Sequence, residues 1–182
     1  MDLPNQIETK RLILRLINQD DFDIFSDIVK DDDVSNNLEF VLKNKPEKSI
    51  KSLFQTIITS FSSKDPIIAL IVITKEDGNR IGSCGLIPLE CGNEAECFYA
   101  LLPEYRGSGF AIEAMKKLIE YGFSKLNLFK IIAHLNPNKS PLWKVAERVG
   151  MKYMGHKQIN AISSKAMYYS IEKNEFEAQR IY

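Results

Sequence analysis

Residues 99–111 read YALLPEYRGSGFA: an apolar, strand-like stretch passes Pro103 and a glycine-rich turn and runs straight into the start of a helix. A helix N-terminus leaves backbone N–H groups without intrahelical partners and carries the positive end of the helix dipole. Such a junction suits a pyrophosphate. Gly107 and Gly109 have no side chain to block the approach of phosphate oxygens, and Ala111 keeps the first helical turn clear. The same residues disfavour two other phosphate chemistries. A dinucleotide fingerprint needs a third glycine where Ile112 stands, and a Walker loop needs Gly-Lys-Ser or Gly-Lys-Thr, which the chain lacks. Hydride transfer and nucleotide hydrolysis therefore fall away.

Such a turn works only if neighbouring elements hold it. Residues 67–75 are nearly all apolar and β-branched, as in a strand buried on both faces. Asp77-Gly78 leads to a strand over 80–89, and Gly92-Asn93 to one over 94–102, an antiparallel meander whose last strand delivers the turn. On that strand Glu94, Glu96, Phe98 and Ala100 share one side. Downstream, Ala111, Met115, Leu118, Ile119, Gly122, Phe123 and Leu126 fall three or four apart and predict a helix packed on the meander. A strand over 128–135 follows, then a short helix from Pro141 to Val149 ended by Gly150, then a hairpin over 151–159 and 166–173.

Upstream, residues 7–17 read as one strand with Leu12, Leu14 and Leu16 on one side. Asn18 caps a first helix carrying Phe22, Phe25, Ile28 and Val29, with Asp20 and Asp21 at the positive end of its dipole. Pro46 and Glu47 open a second, whose apolar face holds Ile50, Leu53, Phe54, Ile57, Ile58 and Phe61. Strands and helices mix without regular alternation, which predicts an α+β fold with a mostly antiparallel sheet of about seven strands flanked by about four helices. One domain over residues 1–182 is expected.

Composition sets the outer limits. With 182 residues, 45% of them hydrophobic, the chain suffices for one well-buried core and is short for two. Lys plus Arg and Asp plus Glu each total 24, so there is no basic excess of the kind nucleic acid binding needs. Cys84, Cys91 and Cys97 form no CxxC pair, and His134 and His156 are the two histidines, which argues against a disulfide framework and against a metal site. The start, MDLPNQIETKRL, has no apolar signal core, and the longest apolar run, Ile67 to Ile73, is too short to cross a bilayer. A soluble, cytoplasmic protein with no membrane partner is expected.

From Arg106 to Ala111 the chain resembles the GCN5-related N-acetyltransferases (GNAT), whose coenzyme A loop reads Arg or Gln, two residues, Gly, one residue, then Gly or Ala. RGSGFA fits every position, and the resemblance spans roughly residues 7–176. The segments ETKRLILRL and ECFYALLPEYRGSGFAIEAM are similar to the branch that includes the ribosomal-protein alanine and serine acetyltransferases. The resemblance implies acetyl-CoA as co-substrate, wedged where two neighbouring strands splay apart. Its pantetheine arm would pair along Tyr99 to Leu102, with Leu101 and Leu102 in contact. Its pyrophosphate would lie on the loop of Arg106, Gly107, Ser108, Gly109, Phe110 and Ala111. It further implies that an amine attacks the thioester directly in a ternary complex and that a backbone N–H, here of Leu101, stabilises the oxyanion. In several relatives a glutamate on this strand takes the amine proton, and Glu96 is the candidate, being nearer the splayed segment than Glu94. The acceptor implied by the branch is a primary amine, preferably the N-terminal α-amine of a protein or peptide.

The chain also departs from the family pattern. Counted back from Gly150, the usual Asn after the fifth strand and the Ser three residues later are Lys139 and Leu142, with Asn138 and Ser140 close by, so Asn138 is the candidate to restore the pantetheine contact. The tyrosine that several members place four residues before the glycine is Ala146. That loss is tolerable, because a thiol with a pKa near 8.5 is already a fair leaving group. Two alternatives stay open: a small-molecule amine acceptor such as a polyamine or an aminoglycoside, and a non-catalytic acyl-CoA sensor. Trp143 reads as core or pocket wall, His134 as a structural histidine, and Asp31 to Asp33 as a solvated turn or an acidic lip. Tyr168 and Tyr169 point opposite ways, one to be buried and one to line the acceptor cleft.

Overall fold

The apolar run at residues 67–75 needs cover on both sides, and it gets it. Strand β3 (Ile68–Thr74) turns Ile68, Leu70 and Val72 toward one helical layer and Ala69 and Ile71 toward the other. The computed structural model describes residues 3–31, 34, 47–90, 92–137, 140–158 and 165–179. Around β3 the sheet is built from β1 (Gln6–Glu8), β2 (Leu12–Leu16), β4 (Arg80–Pro88), β5 (Glu94–Leu101), β6 (Lys130–Leu135), β7 (Lys152–Gln158) and β8 (Lys165–Glu172). The spatial order is β1-β2-β3-β4-β5-β6-β8-β7. Every neighbouring pair is antiparallel except β5 and β6, which run parallel.

Helices α1 (Phe22–Lys30) and α2 (Glu47–Ser60) close one face, burying Phe25, Ile28, Ile50 and Phe54 against Ala69 and Ile71. Helix α3 (Phe110–Ser124) closes the other with α4 (Ser140–Arg148) and α5 (Lys173–Gln179), around Leu70, Ile81, Met115, Leu118 and Ile131. Among the described residues, no helix is long and apolar enough to cross a membrane.

Two elements differ from the sequence expectation. The single strand expected over 7–17 is a hairpin, because Thr9 closes a tight turn: its N–H donates to the Leu12 carbonyl at 3.0 Å and its hydroxyl accepts the Leu12 N–H at 2.8 Å. The fifth helix, α5, has Phe176 as its apolar anchor, seated 5.3 Å from the Phe123 ring. One anchor in a short helix leaves no periodic signal to read. Eight strands and five helices, among the described residues, replace the smaller counts expected.

At Asn18 the expected cap is present. Its side chain accepts the Asp20 N–H at 2.9 Å, and Asp21 reciprocates by accepting the Asn18 N–H at 2.9 Å. Asp21 does more than face a dipole. It is fully buried and accepts two bonds from the Arg15 guanidinium, at 2.7 and 2.8 Å, and one from Arg80 at 3.2 Å, which ties β2 and β4 to the entry of α1. Burial pushes the Asp21 carboxyl up, but the Arg15, Asn18 and Arg80 donors outweigh it and hold it below the usual range.

Candidate functional site

Strands β5 and β6 pair at Glu94 with Lys130, Ala95 with Ile131 and Glu96 with Ile132, and their pairing ends there. Beyond that point β5 stays on β4 as far as Leu101 and β6 stays on β8 as far as Leu135, so the two strands splay into a gap. The alternation along β5 decides what the gap presents. Leu89 N–H bonds the Glu94 carbonyl and Leu102 N–H bonds the Ile81 carbonyl, so residues of even number direct their backbone groups at β4. Cys97, Tyr99 and Leu101 therefore turn their N–H and C=O groups toward the gap. The Leu101 carbonyl accepts from Arg106 Nε, and the rest of this ladder is a template for an extended chain carrying amides, which is what a pantetheine arm is. Leu102, also expected at the coenzyme, gives its amide to Ile81 on β4.

At the end of β5 a single 3-10 turn, Pro103–Tyr105, leads into the glycine loop. Gly107 and Gly109 both adopt left-handed backbone, with φ of +83° and +80°, which a side chain disfavours. A β-carbon on Gly107 would meet nothing within 4 Å, so space inside the protein is not what keeps that position bare. Helix α3 then starts with no side-chain cap, and its first intrahelical bond runs from Glu113 N–H to the Gly109 carbonyl at 3.1 Å. The N–H groups of Phe110, Ala111 and Ile112 precede that bond and have no helical acceptor. These features fit a diphosphate group.

The loop is braced by Arg11, which the sequence reading missed, and by Arg106. Arg11, in the β1–β2 turn, donates from Nε to Glu113 at 2.7 Å and from Nη1 to the Ser108 carbonyl at 3.0 Å, and its guanidinium lies 4.4 Å over the Phe110 ring. Arg106 donates from Nε to the Leu101 carbonyl at 3.0 Å and pairs with Asp31 at 2.5 Å. It joins the end of β5 to the end of α1. Asp31 is thus an ion-pair partner rather than part of a solvated turn. Asp32 and Asp33, like Asn138 and Lys139, lie outside the described residues.

On the α1 and α2 side of the sheet, Glu96 stands where the two strands part. Across the mouth of the gap, His134 Nδ1 lies 3.0 Å from Glu96 Oε1, with side-chain exposures of 17% and 31%. The sequence reading of His134 as a structural histidine did not include this contact. Its proximity to Glu96 follows from the β5–β6 register, which places Ile132 beside Glu96 and His134 two residues further on the same face. No spacing in the sequence announces it. Opposite His134 on β8 is Tyr168, with ring centroids 5.3 Å apart. Lys157 Nζ lies 3.5 Å and Lys130 Nζ 6.0 Å from the Tyr168 centroid. Tyr168 and Tyr169 do take opposite faces, but both are buried, at 7% and 1% exposure. Tyr169 packs into the α3 layer and donates to Glu147 at 3.3 Å.

On the α3 and α4 side, Ala146 is buried in the core and offers no hydroxyl. Besides Tyr169, a phenol from β5 reaches α4: Tyr99 donates to the Leu142 carbonyl at 3.4 Å. Burial raises the Tyr99 phenol well above its ordinary value, so it stays protonated at neutral pH. Trp143 is half-buried against the α3 core, as expected. Burial pushes the thiols of Cys84 and Cys97 up to about 12, which leaves them unreactive.

Residues 11–152 match the family model described as "Acetyltransferase (GNAT) domain". The chain is 30% identical over 148 residues to "Uncharacterized N-acetyltransferase p20" of Bacillus licheniformis, covering 81% of this chain and 82% of that protein. It is 29% identical over 105 residues to "Putative ribosomal N-acetyltransferase YdaF" of Bacillus subtilis, covering 53% of this chain and 57% of that one. Over 80 residues it is 29% identical to the spermidine N(1)-acetyltransferase of Escherichia coli K12, covering 43% of each. A crystal structure of a GNAT-family acetyltransferase from Bacillus anthracis shares the fold, with a TM-score of 0.77 at 22% identity, over 93% of this chain and 99% of that one. With the splayed strands, the left-handed glycine loop and the uncapped helix start on one scaffold, the chain belongs to the GNAT family of N-acetyltransferases and transfers acetyl groups.

Proposed function

We propose that this enzyme moves the acetyl group of acetyl-CoA onto the N-terminal α-amine of a protein or peptide, by direct attack in a ternary complex. The observation that carries the reading is the position of Glu96: a partly exposed carboxylate stands where β5 and β6 separate, next to the backbone groups that β5 turns toward the gap. In this reading the Tyr99 N–H aligns the coenzyme's amide arm. The loop from Gly107 to Ala111 holds its diphosphate. Glu96 accepts the amine proton, directly or through a water, and the Leu101 N–H hydrogen-bonds the oxyanion that forms when the amine adds to the thioester carbon. The C–S bond then breaks. A thiolate whose conjugate acid has a pKa near 8.5 leaves readily at neutral pH.

Two arguments support an α-amine. Holding an amine neutral at pH 7 costs roughly 1 kcal/mol for an α-amino group with a pKa near 8, and about 4 to 5 kcal/mol for a lysine near 10.4. A site with one carboxylate and no tyrosine at position 146 is better matched to the easier proton. The second argument is charge: Lys130 and Lys157 flank Tyr168 on the Glu96 side of the sheet, a setting that favours an acceptor bringing one ammonium over a polycation.

The test compares kcat/KM, by thiol release, for peptides beginning with free Ser or Ala, the same peptides N-terminally blocked but carrying Lys, and spermidine. Fastest turnover of the free N-termini supports the proposal. Faster turnover of the lysine peptides or of spermidine overturns it in favour of that acceptor. Binding of acetyl-CoA without thiol release from any amine would make the protein a sensor.

A further inference from the structure

We infer that His134 is the exit for the proton taken up by Glu96, so that the two side chains form a relay from the acceptor amine to solvent. The inference rests on the reading of Glu96 as the base. A carboxylate that has accepted a proton must lose it before the next turnover, and Glu96 is only partly exposed. His134 Nδ1, 3.0 Å from Glu96 Oε1, is within direct transfer distance.

The balance is simple. The acceptor arrives as an ammonium and gives one proton to Glu96. The neutral carboxyl passes it to Nδ1 of a neutral imidazole whose Nε2 carries hydrogen, and the resulting imidazolium releases the Nε2 proton to water. Glu96 returns to carboxylate, and His134, now carrying its hydrogen on Nδ1, turns over about its Cβ–Cγ bond so that the bare Nε2 faces Glu96 and Nδ1–H faces water for the next turnover. The other proton lost by the nitrogen balances the thiolate, so each turnover yields amide, thiol and one proton in solution.

The surroundings hold the ring for this. His134 sits on β6 two residues past the last pair with β5, so it forms the opposite wall of the gap mouth. The Tyr168 ring lies beside the imidazole, with centroids 5.3 Å apart and planes tilted by 34°. The charged groups on this face include Glu94 on β5, Lys130 on β6, Glu172 opposite it on β8 and Lys157 on β7, with the Tyr168 phenol on β8. Helices α1 and α2 present apolar side chains such as Phe25 and Phe54 to the sheet. Imidazole is also the side chain whose charge ordinarily changes between pH 5 and 8, which suits a group that gains and loses a proton each cycle.

The experiment measures kcat, KM and pH–rate profiles for His134→Asn, His134→Gln and Glu96→Gln, with circular dichroism and melting temperature as folding controls. Expected for both His134 variants is a loss of kcat of about 10-fold or more, an unchanged KM for acetyl-CoA, a changed acidic limb of the profile, and partial recovery in added imidazole buffer. Glu96→Gln should lose at least as much and gain nothing from imidazole. An inactive Glu96→Gln beside parental His134 variants overturns the relay and leaves Glu96 standing. Parental activity in Glu96→Gln overturns the base assignment itself. A loss in the His134 variants that is equal at every pH and unmoved by imidazole makes the residue structural and also overturns the relay.

Discussion

Arg11 and Glu113 stand 102 positions apart in the chain and are joined twice: the Glu113 carboxylate accepts the Arg11 backbone N–H and the Arg11 Nε, each at 2.7 Å. Thr9 adds its hydroxyl at 2.6 Å. Through this contact the first hairpin of the fold grips the first turn of α3, and Arg11 reaches on to the Ser108 carbonyl. The glycine loop is thereby held from a distant part of the chain.

Replacing Arg11 with Leu removes the bond to Ser108 and half of the grip on Glu113. The expected stability loss is about 1 kcal/mol, at the modest end for a charged hydrogen bond because Arg11 is 44% exposed. The larger effect should fall on the loop, with KM for acetyl-CoA rising about 10-fold, roughly 1.4 kcal/mol, while kcat stays within about twofold. Steady-state kinetics and a denaturant melt separate the two. A change in kcat alone would refute the role given to Arg11.

Gly109→Asp introduces a carboxylate beside the proposed diphosphate site. A β-carbon there meets only the tip of Arg11, at 3.5 Å, so the fold accepts it at the cost of left-handed backbone strain, about 1 to 2 kcal/mol. Calorimetry should show coenzyme A affinity falling at least about 10-fold through like-charge repulsion, in a variant that still melts cooperatively. Unchanged affinity would remove the loop assignment.

Asp21→Asn tests the buried anchor between β2, β4 and α1. Losing one partner of a buried pair costs about 3 to 5 kcal/mol at neutral pH. The folded carboxyl lies below its unfolded value, so its contribution is complete above the unfolded pKa near 4 and disappears as pH falls through the lower folded value. The stability gap between parent and variant should therefore be widest at pH 6 to 7 and close in strong acid. Urea melts across pH check this, and a gap that grows on acidification would contradict it.

Gly85→Ala probes the wall behind β5. A β-carbon at Gly85 would come 2.1 Å from the Ile68 carbonyl and 2.4 Å from the Phe98 ring, so something must shift. A loss of about 3 kcal/mol or more is expected for so overpacked a site. Because Phe98 lies two residues from Glu96 on the same side of β5, kcat should fall as well. Stability within 1 kcal/mol of the parent would show that the strand pair is looser than its geometry indicates.

Glu113 and Arg11 illustrate what local sequence conveys and what it cannot. Two residues on different elements reveal nothing of each other until the sheet brings the first hairpin beside α3. The glycine loop is the opposite case. Gly107 and Gly109 need left-handed backbone, and the helix after them exposes amides by its own geometry, so a phosphate site is legible in six consecutive residues. The run 67–75 is equally plain, since an uninterrupted β-branched stretch has to be covered on both faces.

By itself, then, the sequence determined what depends on neighbours along the chain: the meander, the capped first helix, the periodic α3, the anion-binding turn and the side of β5 that Glu96 takes. The tertiary structure alone decided what depends on register between strands far apart in sequence. The parallel pairing of β5 and β6 stops after Glu96, opens the gap and sets His134 against the carboxylate. The fold likewise made Arg106, read from the sequence as part of the coenzyme A loop, a strut between Leu101 and Asp31. The physical reason is that periodicity reports only which way a side chain points, whereas its partner is chosen by strand register and by the packing of whole layers.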